Sequence, residues 1–411
     1  MPEFFNVLAP DSALRALLDR LPTRLESETV LTPQALGRVT AETIVAPEAL
    51  PAFPRSTMDG YAVRARDTFG ASESVPAYLE VVGEVPMGHA PGLTLAVGQA
   101  AVAYTGGMPA HGADAVVMVE NTQQIDATSI EVLRPVAPGE NMVQVGEDVQ
   151  QGDIIVPAGW LLRPQDIGGL MALGITSVAV CRRPRVAIVS TGDEIVVPEA
   201  TPGPGQIRDI NTYTIAALVQ QAGGVPVSLG VVPDQYEAQR QAAVTGLEQA
   251  DVLIFSAGSS VSNRDMTVQV LDSLGQPGVL VHGIAHRPGK PTIVALVEGK
   301  PAFGLPGNPV SAMVVFGLLV RPTLYALSGC LQPPQPPLVR ARLTQNIPSV
   351  AGREDHVQVR LFSSDGVLHA EPIFGKSNLI YTLIRAVGVV VVPLDKGGLY
   401  AGEEVSVQVH A

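Results

Sequence analysis

The chain has 411 residues, 46% hydrophobic and only 4% aromatic, with a formal net charge of -13. That length fits about two to four domains. The apolar content excludes a disordered chain, and the acidic balance excludes bulk nucleic-acid binding, which needs a basic surface to displace counterions.

Cys181 and Cys330 are far apart and form no C-x-x-C motif, so no disulfide framework is expected, and the reading is a reduced, cytoplasmic compartment with both residues in the core. Met1, Pro2 and Glu3 do not open a signal peptide. Apolar stretches such as "VGVVVVP" and "AMVVFGLLV" fall short of the ~20 residues that span a bilayer, so neither a membrane nor a nucleic acid is expected as a partner.

Taken in chain order, "SALRALLDR" (12–20) predicts a short amphipathic helix with Ser12 or Asp11 as its cap. "TPQALG" (32–37) reads as a helix start with Thr32 capping and Pro33 in the first turn. The Pro-rich stretch "APEALPAFPRS" (46–56) reads as a linker or edge, and residues 57–147, rich in Gly and Val with frequent turn signals, predict a β-rich region. "RPQDIGGLMALG" (163–174) predicts a helix with Pro164 near its start, and "CRRPRV" (181–186) is a second punctuation.

Residues 185–325 alternate short apolar runs with amphipathic stretches. "RVAIVS", "PVSLGVV" and "DVLIFSA" predict buried strands, and "TIVALV" and "PAFGL" look extended. Between them, "NTYTIAALVQQAG", "DQYEAQRQAAVTGLEQA" and "SNRDMTVQVLDSLG" predict helices, the first with Asn211 as cap and Gly223 or Gly224 as stop. This alternation predicts a three-layer α/β domain with a mostly parallel sheet. After the third Pro-rich punctuation, "CLQPPQPPLV" (330–339), residues 338–411 predict a small β domain with a hairpin around Asp365-Gly366 in "RLFSSDGVLHAE".

Ligands of open α/β sheets bind at the carboxyl ends of the strands. The segments that follow the predicted strands are "TGDEI", "PDQ", "GSSVSNRD", "HRPGKP" and "LPGNPVSA", and together they describe one rim. It carries Asp193, Glu194, Asp234 and Asp265 on the acidic side and Arg264, Arg287 and Lys290 on the basic side. Mixed charge suits a phosphate ligand with a bridging Mg²⁺: carboxylate oxygens hold the metal, while cations and backbone N–H groups hold the phosphate.

Plainer readings stand beside this. Ser262 and Asp265 have the S-x-x-D spacing of a helix cap, and from spacing alone that is as good as catalysis. "GLPGNP" can be helix-start chemistry only, with Asn308 as cap and Pro309 at the first position, and Asp59-Gly60 in "STMDGYAV" would ordinarily be a turn. His282 and His286 lack a third ligand, so a zinc site is not expected there. A Walker loop, a G-x-G-x-x-G after a strand and a G-x-S-x-G elbow are all absent from the sequence.

The segments "STMDGYAV", "YTGGMPAHGADAVVMVE", "GED", "VSTGDEI", "SAGSSVSNRDMT", "RPGKP" and "GLPGNPVSA" occur in the order found in molybdopterin molybdenumtransferases, the MoeA family related to the C-terminal domain of gephyrin. The resemblance covers essentially the whole chain. It implies an elongated homodimer of four-domain subunits: a small mixed domain from 1–50 and 148–183, a β-rich inserted domain at 51–147, the α/β domain at 184–330, and a C-terminal β-barrel at 331–411. It also implies the activity: adenylylated molybdopterin and molybdate are the substrates, the pyrophosphate is split with Mg²⁺, AMP is released, and molybdenum is left on the dithiolene. A molybdopterin adenylyltransferase and apo-molybdoenzymes are implied as further partners.

Carried over by motif, Asp59 and Thr105 would act across the dimer interface, with Asp148 nearby. Glu194, Asp234 and Asp265 would surround pyrophosphate and Mg²⁺, with Ser260 in the serine-rich loop. Molybdate would lie near Arg287, Lys290, Pro291, Pro306, Pro309, Ser311, Arg353 and Ser377. The chain departs from the family pattern at Gly283, where many bacterial relatives have lysine, at Arg287, also usually lysine, and at Asn263, usually acidic. Two other readings compete: adenylyl transfer to molybdopterin, which the α/β domain alone resembles, and a non-catalytic dimeric scaffold.

Overall fold

The computed structural model describes residues 7–21, 24–257 and 261–410; Ser260 lies outside the described residues, as do the side chains of Asn263, Arg264 and Asp265. Contacts divide the chain into two units, one of Met1–Glu42, Ala158–Pro164 and Ser177–Ala411, the other of Thr43–Pro157 and Gln165–Thr176.

The second unit is built on a six-stranded sheet in the order Ala115–Met118, Gly60–Val63, Gln99–Ala103, Ala77–Glu84, Ser129–Val132, Thr122–Gln124. Small and β-branched side chains, Val63, Ala100, Ala115, Val117, Ile130 and Val132, form its core. Gly60 opens a strand and is not the second half of a turn.

In the first unit, a six-stranded sheet is made by β1 (Arg185–Thr191), β2 (Val225–Val232), β3 (Val252–Ala257), β4 (Pro277–His282), β5 (Ile293–Val297) and β6 (Lys300–Pro306), in the order β2-β1-β3-β6-β5-β4. The pairings among β2, β1, β3 and β6 are parallel, and β5 runs antiparallel to both β6 and β4. Successive strand residues point to opposite faces. Val186, Ile188, Val252, Ile254 and Phe303 therefore join one core, and Ala187, Val189, Leu253, Phe255 and Ala302 the other. Helix α1 (Asn211–Gln221) covers the first face; α2 (Tyr236–Gln249) and α3 (Val261–Ser273) cover the second. The expected layered α/β arrangement with a mixed, largely parallel sheet is present.

Helix α4 (Pro309–Val315) runs on through a π turn, Phe316–Val320, into Arg321–Leu327. Pro322 lacks the N–H that an α-helix would require, and the preceding wide turn accommodates it. The result is a single helical run, Pro309–Leu327, long and apolar enough by composition to cross a bilayer, where the sequence reading saw only a short apolar stretch. Val310, Ala312, Val315, Phe316, Leu319, Val320 and Leu324 are buried in the fold, so it is a core helix.

The N-terminal helix also differs from expectation. It spans Pro10–Leu18 with Ala9 at the cap position, and neither Ser12 nor Asp11 caps it. "TPQ" makes only one tight turn, Thr32–Gln34.

The C-terminal strands β7 (Leu338–Leu343), β8 (Glu354–Ser364), β9 (Val367–Pro372), β10 (Gly388–Val392) and β11 (Glu404–Val409) close into a five-strand barrel, β8-β9-β7-β11-β10 and back to β8. Asp365 (φ 52) and Gly366 (φ 75) both sit in the left-handed region, the geometry of the tight hairpin that an Asp-Gly pair selects.

Candidate active site

The registers place the carboxyl ends of the parallel strands level: Thr191 lies opposite Val232, Ser190 opposite Ser256, and Ala257 opposite Pro306. β4 runs in the same direction, so the loops after β1, β2, β4 and β6 leave one edge of the sheet, as the sequence predicts. Asn211 is not a helix cap: its Nδ2 donates to Ser256 Oγ at 2.8 Å and to the Gly307 carbonyl at 2.7 Å, while Asp209 accepts the Thr212 N–H at 3.1 Å. The amide thereby straps the end of β3 to the loop after β6.

The loop after β4 is closed on itself. Ile284 N–H donates to the Lys290 carbonyl at 2.9 Å, and the Thr292 hydroxyl donates to the Gly289 carbonyl at 2.6 Å. Gly289 has φ +118, and a Cβ there would sit 2.4 Å from Val315 Cγ2 on the core helix, so only glycine fits. His286 and Arg287 pair in parallel with Glu354 and Asp355 at the start of β8.

Between this loop, the β6–α4 turn and the barrel lies a cavity of about 780 Å³. Arg287, Lys290, Pro291, Pro306, Ser311, Arg353 and Ser377 all line it. Pro309 does not; it is buried as the first residue of α4. Asn308 occupies the cap position, but its Nδ2 donates to Ser377 Oγ at 2.9 Å, and the Val310 N–H donates to the Ser377 carbonyl at 3.1 Å. Those groups fix Ser377 against the helix.

Sequence reasoning missed two residues here. Lys376 also lines the cavity and adds a cation to Arg287, Lys290 and Arg353. Asp355 is buried and accepts from Arg353 Nε and Nη2 at 2.8 and 3.2 Å, with Arg287 at 3.7 Å. The run "AGREDH" carried that signal, since an aspartate can be buried in a strand only with a cation close by.

The acidic side of the edge lies elsewhere. Glu194 and Asp234 follow the adjacent strands β1 and β2, both half-buried, and neither lines the cavity. β1 and β6 are separated by β3, which sets them roughly 10 Å apart. The Asp234 N–H donates to Asp193 Oδ1 at 3.1 Å, and Gln239 Nε2 donates to Asp234 Oδ1 at 3.4 Å. In the other unit, the Thr105 N–H and hydroxyl donate to Asp59 Oδ1 at 2.8 and 3.0 Å and hold that carboxyl below its ordinary range. Asp148 is exposed, with its N–H on the Leu50 carbonyl.

In the cavity lining, burial followed by the neighbouring His356 lowers the His286 pKa to about 4. The His356 hydrogen bond lowers that of Glu354.

Three family models match this chain: the MoeA N-terminal region (domain I and II) over residues 8–174, a probable molybdopterin binding domain over 187–326, and the MoeA C-terminal region (domain IV) over 340–410. A molybdopterin molybdenumtransferase of Nostoc sp. is 35% identical over 396 residues, covering 95% of this chain and 90% of that protein. One from Haemophilus influenzae is 33% identical over 404 residues, covering 98% of each. A crystal structure of a molybdopterin biosynthesis MoeA protein from Pyrococcus horikoshii superposes with a TM-score of 0.85 at 32% identity, over 98% of this chain and 100% of that one.

Proposed function

This chain belongs to the MoeA family, and from that premise we propose that it is a molybdopterin molybdenumtransferase of molybdenum cofactor biosynthesis, taking molybdate and adenylylated molybdopterin and releasing AMP. The observation that carries the reading is the cavity wall, where Arg287, Lys290, Arg353 and Lys376 share one lining with Ser311 and Ser377. A doubly charged oxyanion leaves water only where such donors replace its hydration. Asp355 orients Arg353, and the closed loop holds Lys290 in place, so the donors are set before the ligand arrives.

Mg²⁺ suits the other end of the edge, where Glu194 and Asp234 offer hard carboxylate oxygens on neighbouring strand ends. When bound, it would supply charge neutralisation at the bridging phosphates. Asp265, one helical turn into α3, is the third acid of this reading, and Ser260 immediately precedes that helix in the sequence. The cavity residues Pro291, Pro306 and Ser311 would then position molybdate, and Pro309 would support them from within the helix.

The proposal includes a homodimer in which Asp59, Thr105 and Asp148 serve catalysis, the four-domain division at 51, 148, 184 and 331, and a cytoplasmic setting. A molybdopterin adenylyltransferase would supply the substrate, and apo-molybdoenzymes would take the product.

Incubation of the protein with adenylylated molybdopterin, Mg²⁺ and molybdate should release AMP only when molybdate is present. Adenylylation of molybdopterin from ATP, indifferent to molybdate, would overturn the reading in favour of adenylyl transfer.

A further inference from the structure

We propose that His286, Glu354 and His356 form a binding site for a divalent first-row transition metal, of which zinc is the best match. The three residues each offer one ligand atom, and those atoms lie within 4.8 Å of one another.

The sequence set aside a zinc site at His286 because His282 gave only one companion on a strand-to-loop segment. The fold supplies different companions. The parallel pairing of His286–Arg287 with Glu354–Asp355 brings two ligands from the barrel.

The orientation of His286 is the strongest argument. It is 2% exposed, and its Nδ1 lies 2.7 Å from the Pro288 carbonyl oxygen. A carbonyl only accepts, so Nδ1 carries the hydrogen and Nε2 carries the lone pair. Nε2 is buried and makes no hydrogen bond within the protein. A histidine that donates one ring N–H to a backbone carbonyl and keeps its other nitrogen free of protein hydrogen bonds has the arrangement that orients metal-ligating imidazoles.

A core histidine would be expected to place both nitrogens on protein groups. His286 places one and leaves the other buried with no hydrogen bond, in a ring that packs beside a second imidazole. The His286 and His356 rings meet edge-on with centroids 4.5 Å apart, and His356 Nε2 lies 2.7 Å from Glu354 Oε1. Two imidazoles and one carboxylate favour zinc over the oxygen-seeking Mg²⁺, and a three-ligand set leaves a coordination position open. Both histidines line the cavity, so an ion there would add positive charge to the wall that carries Arg287 and Arg353.

The test uses zinc alone and the full chain. The protein is stripped with chelator, desalted and titrated with zinc against a chromophoric competitor, with cobalt substitution followed by its visible absorption. One equivalent per chain is expected, weakened by more than roughly 100-fold in His286→Gln and in His356→Gln, with the cobalt bands lost. His286 is buried and its variant can fail to fold; circular dichroism reports that, and His356→Gln and Glu354→Gln, at half-buried positions, then decide the matter. The proposal is overturned if no saturable one-to-one phase occurs at micromolar zinc, or if folded His356→Gln and Glu354→Gln variants bind zinc as the unaltered chain does.

Discussion

At the β1–β2 end of the sheet edge, Glu194 and Asp234 are half-buried carboxylates on the loops after adjacent strands, and Gln239 Nε2 donates to Asp234 Oδ1 at 3.4 Å. At the barrel end, a buried aspartate grips Arg353 with two bonds, a closed loop carries Arg287 and Lys290, and Ser377 is tied to the first turn of α4. The two ends suit different ligands. Mg²⁺ keeps several of its waters and is held through only one or two carboxylates. A tetrahedral oxyanion has fixed shape, and its donors must stand in place beforehand.

The comparison can be broken most directly at the basic end. Replacing Lys290 and Arg353 together by alanine should cut molybdate-dependent AMP release by ~10³-fold, with the loss concentrated in molybdate half-saturation. A loss no larger than that from changes at the acidic end would remove the distinction. At that acidic end, Glu194→Gln combined with Asp234→Asn should raise the Mg²⁺ concentration for half-maximal rate by ~10–100-fold and leave molybdate half-saturation where it was. Restoration by added Mg²⁺ sharpens the contrast; no restoration breaks it.

Rigidity can be tested by Gly289→Ala, which should cost about 2 kcal/mol in thermal unfolding, because the new Cβ collides with Val315 and φ +118 disfavours it. An undiminished melting temperature would mean that the loop yields.

Arg182 provides the smallest effect and a control, since it acts at the amino edge of the sheet. Burial pushes the Asp251 carboxyl up, but the Arg182 guanidinium, donating from Nη1 and Nη2 at 2.7 Å, and the Arg185 N–H carry it below its ordinary value. The unfolded chain takes up that proton first as pH falls. The stability the pair contributes is therefore complete above about pH 4 and drains away below it. Arg182→Ala should lose roughly 1–2 kcal/mol at neutral pH, flatten the acid limb of the melting profile, and change neither Mg²⁺ nor molybdate dependence.

What was legible in the sequence is what repeats locally. Apolar runs between helical stretches gave the strands β1, β2, β3, β5 and β6 and the segments that leave them. Asp365-Gly366 gave its hairpin, because both residues must adopt positive φ. "RPGKP" and "GLPGNPVSA" stood out because stiff residues cluster there, and both border the cavity. What stayed hidden depends on partners distant in sequence. Asn211 looked like a cap because caps are local, yet it bonds to Ser256 and Gly307. Asp355 and His356 drew no reading from the sequence, because the segment they face, the loop after β4, is distant along the chain. The length of the core helix was masked by Pro322, whose effect is absorbed by one wide turn.

Strand β8 belongs to three pairings: with the His286–Arg287 segment, with β9 and with β10. It is both a stave of the barrel and part of the backing of the cavity, and the Glu354 N–H is bonded across to the Ala285 carbonyl at 2.9 Å. The cavity therefore has no lifetime of its own. Its floor frays only when the barrel opens, so deuterium should enter at Glu354 on the slow schedule of the barrel staves, not on the fast schedule of surface loops.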